Sequence, residues 1–114
     1  MNRGEVWSLV AERQPDGPTS TRGKAAAGRS VVIISNNAAN RNLDRVVVVP
    51  LTADGDRQYP GEARVTLSDK PCKVSADQIT TMPRAALAGC IGELSKGDLR
   101  AVEEAVQIHL ALPR

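Results

Sequence analysis

An arginine and a threonine flank two apolar runs of this 114-residue chain, and together they could bind a phosphate group. Arg29 precedes the run at residues 31–34, and Thr52 follows the run at residues 46–49. Both runs are β-branched and bounded by turn-forming residues, which is typical of buried strands. If the strands pair antiparallel as neighbours, Arg29 and Thr52 meet at one edge of the sheet.

Such a pair could carry out phosphoryl chemistry on RNA without a metal ion. RNA contains its own nucleophile, the 2′-hydroxyl, so the protein has only to align that oxygen with the phosphorus and stabilise the developing charge. A guanidinium is permanently charged, and its fork of donors matches phosphate oxygens. A threonine hydroxyl can hydrogen-bond a nonbridging oxygen or place the attacking hydroxyl. The polar residues expected around this pair are Ser35, Asn36, Asn40, Asp77, Gln78 and Thr80.

Residue types alone leave a plainer interpretation open. Arg29 could be a surface cation at a strand start, and Thr52 a hydroxyl in the turn before Asp54 and Gly55. Other kinds of site have less support in the sequence. The single histidine, His109, stands near the end of the last predicted helix, where we expect a structural or interface role. The chain has no CxxC motif and no Cys/His cluster, so we expect no metal and no cofactor.

The length favours one domain over residues 1–114, with a core that needs no disulfide or metal. Val, Ile, Leu and Ala must fill that core, because the chain has no Phe, one Trp and one Tyr. No segment approaches the ~18 consecutive apolar residues of a membrane span, and the N-terminus does not resemble a signal peptide. We therefore expect a cytoplasmic protein, away from membranes, with two reduced cysteines.

Charge is concentrated in one segment rather than spread over the chain. The net charge of +2 is smaller than a duplex-binding domain usually carries. Residues 11–29 contain four basic and two acidic residues, so this segment alone accounts for a net charge equal to that of the whole chain. Its prolines and glycines predict a long loop over residues 11–28, and loops of this length are often functional lids.

The remaining pattern predicts a mainly β fold with a C-terminal helix, in the form of a small antiparallel barrel or half-barrel of about five to seven strands. Ser95 and Asp98 form a capping box ahead of a helical apolar pattern that stops at Pro113. The predicted strands cover residues 3–10, 31–34, 46–49, 63–67, 73–80 and 90–94, with a second loop at residues 53–61 and one helical turn at residues 83–87.

Several short motifs follow one another along the chain in a recognisable order. They are Arg3-Gly4-Glu5-Val6-Trp7, the strand run into Ser35-Asn36, Asn40-Arg41, Val49-Pro50-Leu51-Thr52, Asp77-Gln78-Ile79 with Thr81, and Ile91-Gly92 with Leu94-Ser95. From about residue 3 to residue 112, the chain resembles the MazF/PemK family of toxins, the endoribonuclease half of type II toxin–antitoxin pairs.

The resemblance implies an SH3-like barrel with a C-terminal helix that acts as a homodimer. It also implies a sequence-specific, metal-independent endoribonuclease that cuts single-stranded mRNA and leaves a 2′,3′-cyclic phosphate and a 5′-hydroxyl. A cognate MazE-like antitoxin would block the cleft with an acidic or hydrophobic tail. The family's catalytic arginine falls on Arg29 and its catalytic threonine on Thr52. The residues that would shape the substrate groove are Asn36, Asn40, Asp77 and Gln78.

Two departures from the family pattern concern Arg29. The family usually has proline directly after the catalytic arginine, whereas this chain has Ser30, so Gly28 and strand pairing would have to set the Arg29 backbone. The preceding loop often holds glutamate in the family, but residues 21–28 are alanine-rich here. The Arg22 and Lys24 side chains of this loop suggest a phosphate-binding lid instead.

Two other function classes fit the same fold. A CcdB-like topoisomerase poison would act through its C-terminal tip, but residues 111–114 lack the Trp-Gly-Ile ending typical of that group. A non-catalytic barrel that binds RNA or protein is the other alternative, since the loop before Arg29 is substituted.

Overall fold

The computed structural model describes residues 1–10, 29–53 and 62–113, and these form a seven-stranded antiparallel sheet with a C-terminal helix. The predicted fold class is therefore confirmed. None of the described helices is long and apolar enough to cross a membrane. The strands are β1 (Glu5–Leu9), β2 (Ser30–Ile33), β3 (Arg45–Ala53), β4 (Glu62–Leu67), β5 (Lys70–Ser75), β6 (Thr80–Pro83) and β7 (Leu87–Glu93). The helices are α1 (Asn37–Asn42) and α2 (Lys96–Leu110), and 3₁₀ turns lie at Ala76–Gln78 and Arg84–Ala86.

The long strand β3 organises the sheet. The strand order is β4-β5-β3-β2-β1-β7, and β6 also pairs with β3. One edge of β3 pairs with β2, and its other edge pairs with β5 at residues 51–53 and with β6 at residues 45–48. The prediction of one strand over residues 73–80 is therefore wrong. A 3₁₀ turn interrupts it between the two segments that pair with β3. Ala76 in this turn is buried, and its carbonyl accepts a hydrogen bond from the Ile79 N–H at 3.3 Å.

Helix α1 is an element that the apolar pattern does not predict. It is six residues long and begins after Asn36, whose side-chain oxygen accepts a hydrogen bond from the Ala39 N–H at 2.8 Å. Asparagine is a favoured N-cap, so the signal for this helix was its cap rather than its apolar spacing. The helix connects the end of β2 to the start of β3.

The side chains of the sheet alternate between two apolar clusters. The first cluster packs on α2 and includes Val6, Val32, Val49, Leu51, Val65, Val74, Val102 and Ala105. The second lies on the opposite face and includes Val31, Ile33, Val46, Val48 and Leu87. Both clusters are almost wholly aliphatic, as the composition predicts.

Helix α2 begins as the capping box predicts. The Ser95 hydroxyl accepts a hydrogen bond from the Asp98 N–H at 3.1 Å. The Asp98 carboxylate accepts a hydrogen bond from the Thr66 N–H at 2.9 Å, so it also ties the helix to β4. The helix ends at Ala111, which adopts a left-handed conformation with φ of 58°.

Candidate functional site

The structure brings Arg29 and Thr52 together at one end of the β2–β3 ladder. The last paired residues at this end are Ser30 and Leu51, so the same register places Arg29 opposite Thr52. The Leu9 N–H donates a hydrogen bond to the Arg29 carbonyl at 3.3 Å, which shows that the ladder with β1 extends to Arg29. Directly opposite residues in antiparallel strands have their Cβ atoms about 5 Å apart. We call this edge of the sheet the Arg29 end.

Both side chains belong to the face of the sheet that lies opposite α2. Arg29 alternates in step with Val31 and Ile33, and Thr52 with Val46 and Val48, and all four of these apolar residues belong to the second cluster. Arg29 and Thr52 are exposed, whereas the four apolar residues are buried. The aliphatic side chains therefore fix the strands while the guanidinium and the hydroxyl remain accessible to a ligand.

Strand pairing holds the backbone beside Arg29, where this chain has Ser30 and the resemblance implies a proline. Ser30 pairs with Ser8 of β1 and with Leu51 of β3, so it lies on a ladder in the interior of the sheet. A proline there would have no N–H to donate, and serine keeps that donor. On this side of Arg29 the chain is strand-paired, as expected in the absence of the proline, while Gly28 lies outside the described residues.

Lys73 and Arg64 extend the site across two further strands, and the residue patterns did not predict either of them. Lys73 pairs directly with Thr52, and Arg64 pairs directly with Lys73. Cross-strand partners share a face, so Arg29, Thr52, Lys73 and Arg64 form one line, which we call the cationic row. No short motif encodes this register. The alternation at residues 63–67 and a strand that starts at Lys73 were visible in the sequence, but the pairing between them was not.

A partly buried ion pair lies within the cationic row. The Lys73 ammonium lies 3.4 Å from a Glu62 carboxylate oxygen, and the two side chains are only 14% and 13% exposed. Glu62 is two residues before Arg64 on β4 and therefore shares its face. The pair holds a lysine side chain close to the sheet beside Thr52.

Ser35, Asn36 and Asn40 lie at the opposite end of the same strands, which we call the Ser35 end. Arg29 and Ser35 are six positions apart along β2, about 20 Å in extended chain. Asn40 is 1% exposed, and its amide hydrogen-bonds the Ser35 carbonyl at 3.0 Å and the Ser35 hydroxyl. The Ser35 hydroxyl in turn accepts the Val47 N–H at 3.1 Å. These hydrogen bonds connect β2, α1 and β3, and the exposed Asn36 caps α1.

Asp77, Gln78 and Thr80 are exposed beside β3, between its two ends. Asp77 and Gln78 lie on the 3₁₀ turn that connects β5 to β6. Thr80 pairs with Val48, which places it on the same face as Thr52 and four positions along β3 from it. These three residues therefore form a polar edge that leads away from Thr52.

The remaining candidate residues are not part of this arrangement. Arg22 and Lys24 lie outside the described residues. His109 is exposed in the last turn of α2. Within the three described ranges, no three or more His, Cys, Asp or Glu side chains come together in a way that could hold a metal ion.

A cavity of about 300 Å³ lies on the other side of the sheet, beside α2. Its lining includes Ile34, Val106 and Leu112 together with the ion-paired Arg3 and Glu103. The lining residues belong to the helix side of the molecule, so this cavity is separate from the Arg29 end.

One carboxyl group near the Ser35 end has a shifted pKa. Burial raises the pKa of Glu5, but hydrogen bonds from the Trp7 indole (2.9 Å) and the Asn2 backbone N–H (3.0 Å) favour the ionised form. The Asn2 side chain and the N-terminal charge act in the same direction, so the pKa of Glu5 lies below its ordinary value.

The chain is similar to known toxins over nearly its whole length. Residues 2–110 match the family model of the PemK-like, MazF-like toxin of type II toxin-antitoxin system. The chain is 31% identical to endoribonuclease MazF9 of Mycobacterium tuberculosis, over 98% of both proteins. Among solved structures, it superimposes on an endoribonuclease from a mycobacterial species with a TM-score of 0.78, at 27% identity over 100% of this chain and 94% of the other. It also superimposes on a mycobacterial endoribonuclease in complex with its cognate antitoxin, with a TM-score of 0.77, at 28% identity over 100% and 98% of the two chains.

Proposed function

Because the chain belongs to the family of PemK-like, MazF-like toxins of type II toxin–antitoxin systems, we propose that it is a sequence-specific, metal-independent endoribonuclease that cleaves single-stranded mRNA. The observation that carries the proposal is that the β2–β3 register places Arg29 opposite Thr52 at one end of the ladder, where both residues are exposed. The endoribonucleases similar to this chain support the reaction class.

The reaction proposed for this pair uses the substrate's own nucleophile. The 2′-oxygen attacks the adjacent phosphorus, the bond from phosphorus to the 5′-oxygen breaks, and the proton lost by the 2′-hydroxyl is balanced by one gained at the 5′-oxygen. The products are a 2′,3′-cyclic phosphate and a 5′-hydroxyl. Arg29 would bind the nonbridging oxygens as charge develops on them, and Thr52 would hydrogen-bond one of these oxygens or the attacking hydroxyl. A strand ladder holds both residues, so little reorganisation is needed.

The other candidate residues divide into contact and positioning roles. We assign base or phosphate contacts to Asp77, Gln78 and Thr80, because these residues are exposed along one edge. Asn36 is exposed and keeps a proposed contact role at the Ser35 end. The remaining candidates in the described part, Ser35 and Asn40, would position that end through their mutual hydrogen bonds. Arg22 and Lys24 are still proposed to bind phosphate from the loop before Arg29.

The proposal includes two protein partners. A cognate antitoxin would inhibit cleavage, as the complex of a related endoribonuclease with its antitoxin suggests. A second copy of the chain would complete a homodimer in the cytoplasm, where mRNA is found. Large hydrophobic side chains that are 40–49% exposed offer surface for such contacts: Val10, Leu43, Ile91, Ile108, Leu110 and Leu112.

Sequencing the 5′ ends of RNA cut by the purified protein in EDTA tests the activity and defines its recognition sequence. We expect cuts at one short sequence, with 5′-hydroxyl ends that a kinase can label and cyclic phosphates on the other fragment. Intact RNA together with trapped DNA breaks would instead indicate a topoisomerase poison. Binding of RNA without any cleavage would indicate a non-catalytic barrel.

A further inference from the structure

The cationic row continues beyond Thr52, and its outer half carries positive charge that the cleavage reaction does not use. Lys73 lies next to Thr52, and Arg64 lies next to Lys73. Neighbouring strands are about 4.8 Å apart, so the row from Arg29 to Arg64 spans roughly 15 Å. A single phosphate group is much shorter than this, so the row is long enough to contact more than one phosphate of the same strand.

The environment of Lys73 differs from that of an ordinary surface lysine. Its ammonium is held 3.4 Å from Glu62 with 14% of the side chain exposed, whereas a surface lysine usually extends its charge into water. An ammonium has three donors, so it can hold a carboxylate and a phosphate oxygen at the same time. A lysine side chain that is already held beside Thr52 loses less conformational freedom when RNA binds than a mobile one does.

The net charge of the cationic row favours binding of a polyanion. Arg29, Lys73 and Arg64 contribute three cations, and Glu62 contributes one anion that faces Lys73. Among these four side chains the cations therefore outnumber the anion. A scissile phosphate at Thr52 would have Arg29 on one flank and Lys73 on the other.

We propose that Lys73 binds the phosphate next to the scissile one, that Glu62 holds the Lys73 ammonium in place for this contact, and that Arg64 binds the following phosphate. The assignment rests on the proposed function, because it refers to the RNA that Arg29 and Thr52 cleave. Lys73 acts in binding, so its loss should change KM and leave kcat nearly unchanged.

Binding of an uncleavable RNA tests the proposal directly. The probe is an oligoribonucleotide that contains the mapped cleavage sequence, with a 2′-deoxynucleotide in place of the one whose 2′-hydroxyl would attack. Its affinity is measured against KCl concentration for the wild type and for Lys73→Gln, Arg64→Gln and Glu62→Gln/Lys73→Gln. The double variant keeps the wild-type net charge and leaves no unpaired carboxylate, so it remains informative if Lys73→Gln alone does not fold.

A matched control comes from the same strand. Lys70→Gln removes the same charge from β5 at an exposed position that alternates to the other face from Lys73. Lys73→Arg is the conservative variant, and it should keep the phosphate contact. Thermal unfolding of every variant confirms that it is folded at the temperature of the assay.

We expect Lys73→Gln and the double variant to bind about 10-fold more weakly at 0.1 M salt, as loss of one charge-assisted hydrogen bond predicts. Their plots of log affinity against log salt should be shallower by about 0.7, which corresponds to one phosphate contact on a single strand. The plot for Arg64→Gln should be shallower by a similar amount. Lys70→Gln and Lys73→Arg should keep the wild-type slope, and KM should rise in Lys73→Gln by the same factor as the dissociation constant.

A wild-type slope and KM in both Lys73→Gln and the double variant would overturn the proposal. If the wild type cuts no RNA, no cleavage sequence can be mapped and the endoribonuclease proposal fails, and the same slope comparison on a single-stranded oligoribonucleotide of arbitrary sequence still decides whether Lys73 binds phosphate. If the wild type cuts and Lys73→Gln behaves like Lys70→Gln, only the proposal for Lys73 fails.

Discussion

At the Arg29 end of strands β2 and β3, the polar side chains are exposed, whereas at the Ser35 end they hydrogen-bond within the chain. Arg29 and Thr52 are exposed across one ladder. Asn40 is 1% exposed, and its amide is engaged with Ser35. Both ends carry residue types that suit RNA binding, so type alone does not separate a site from a structural network. Burial and hydrogen-bond partners make that distinction.

The comparison predicts that changes at the Arg29 end affect catalysis and that changes at the Ser35 end affect stability. The two readouts are the rate of RNA cleavage per folded molecule and the free energy of unfolding. The predictions below run from the largest expected effect to the smallest.

Replacing the arginine should have the largest effect on cleavage. Arg29→Ala removes the charge proposed to stabilise the transition state, and we expect the cleavage rate to fall by about 10³-fold or more. Its free energy of unfolding should stay within about 0.5 kcal/mol of the wild type, because the side chain is exposed. Arg45→Ala is the control, since it removes an exposed arginine from the Ser35 end of β3. Equal rates for the two variants would contradict the assignment.

Replacing the threonine should have the next largest effect. Thr52→Val keeps the shape of the side chain and removes the hydroxyl, so we expect a loss of about 10²- to 10³-fold in cleavage rate. Thr52→Ser keeps the hydroxyl and should retain most of the activity. Single-turnover cleavage assays distinguish these outcomes. A Thr52→Val variant that cuts as fast as Thr52→Ser would show that the hydroxyl has no part in the reaction.

At the Ser35 end, Asn40→Ala should lower stability without a comparable loss of chemistry. The substitution leaves the partly buried Ser35 carbonyl and hydroxyl without their Asn40 partner, which costs about 1–3 kcal/mol of unfolding free energy. Urea denaturation measures this cost. The single-turnover rate at saturating RNA should stay within a few-fold of the wild type below the unfolding transition. A loss of rate as large as that of Arg29→Ala would place Asn40 in the reaction itself.

The smallest predicted effect concerns Glu5 and pH. The folded-state pKa of Glu5 is lowered, so its ionised form stabilises the fold above the unfolded-state pKa of about 4.3. This contribution should be lost as the pH falls through the lower folded-state pKa. The stability difference between the wild type and Glu5→Gln should therefore be constant near neutrality and shrink in acid. Denaturation curves at several pH values check this, and a difference that grows in acid would contradict it.

Much of the architecture could be predicted from local patterns. The β-branched runs of β2 and β3, the apolar alternation of β4 and the Ser95 cap of α2 each depend on neighbouring residues, and the structure confirms all of them. The adjacency of Arg29 and Thr52 could also be predicted, because in two neighbouring antiparallel strands the start of the first lies beside the end of the second.

The remainder depends on contacts between distant segments. The split of residues 73–80 into β5 and β6 follows from two separate pairing sites on β3, which no local pattern encodes. The same register places Lys73 beside Thr52, so the cationic row could not be predicted before the fold was known. The burial of Asn40 likewise depends on how α1 is held against Ser35 at the end of β2, and its residue type favours a polar surface role equally well.

Cleavage of two matched oligonucleotides in EDTA tests the central claim most directly. One is RNA containing the mapped recognition sequence, and the other carries a single 2′-deoxynucleotide on the 5′ side of the scissile phosphate. The account predicts that the protein binds both, cuts only the all-RNA strand and leaves a 2′,3′-cyclic phosphate. Cutting of the deoxy-substituted strand at a comparable rate would contradict it, because the nucleophile would then not come from the RNA.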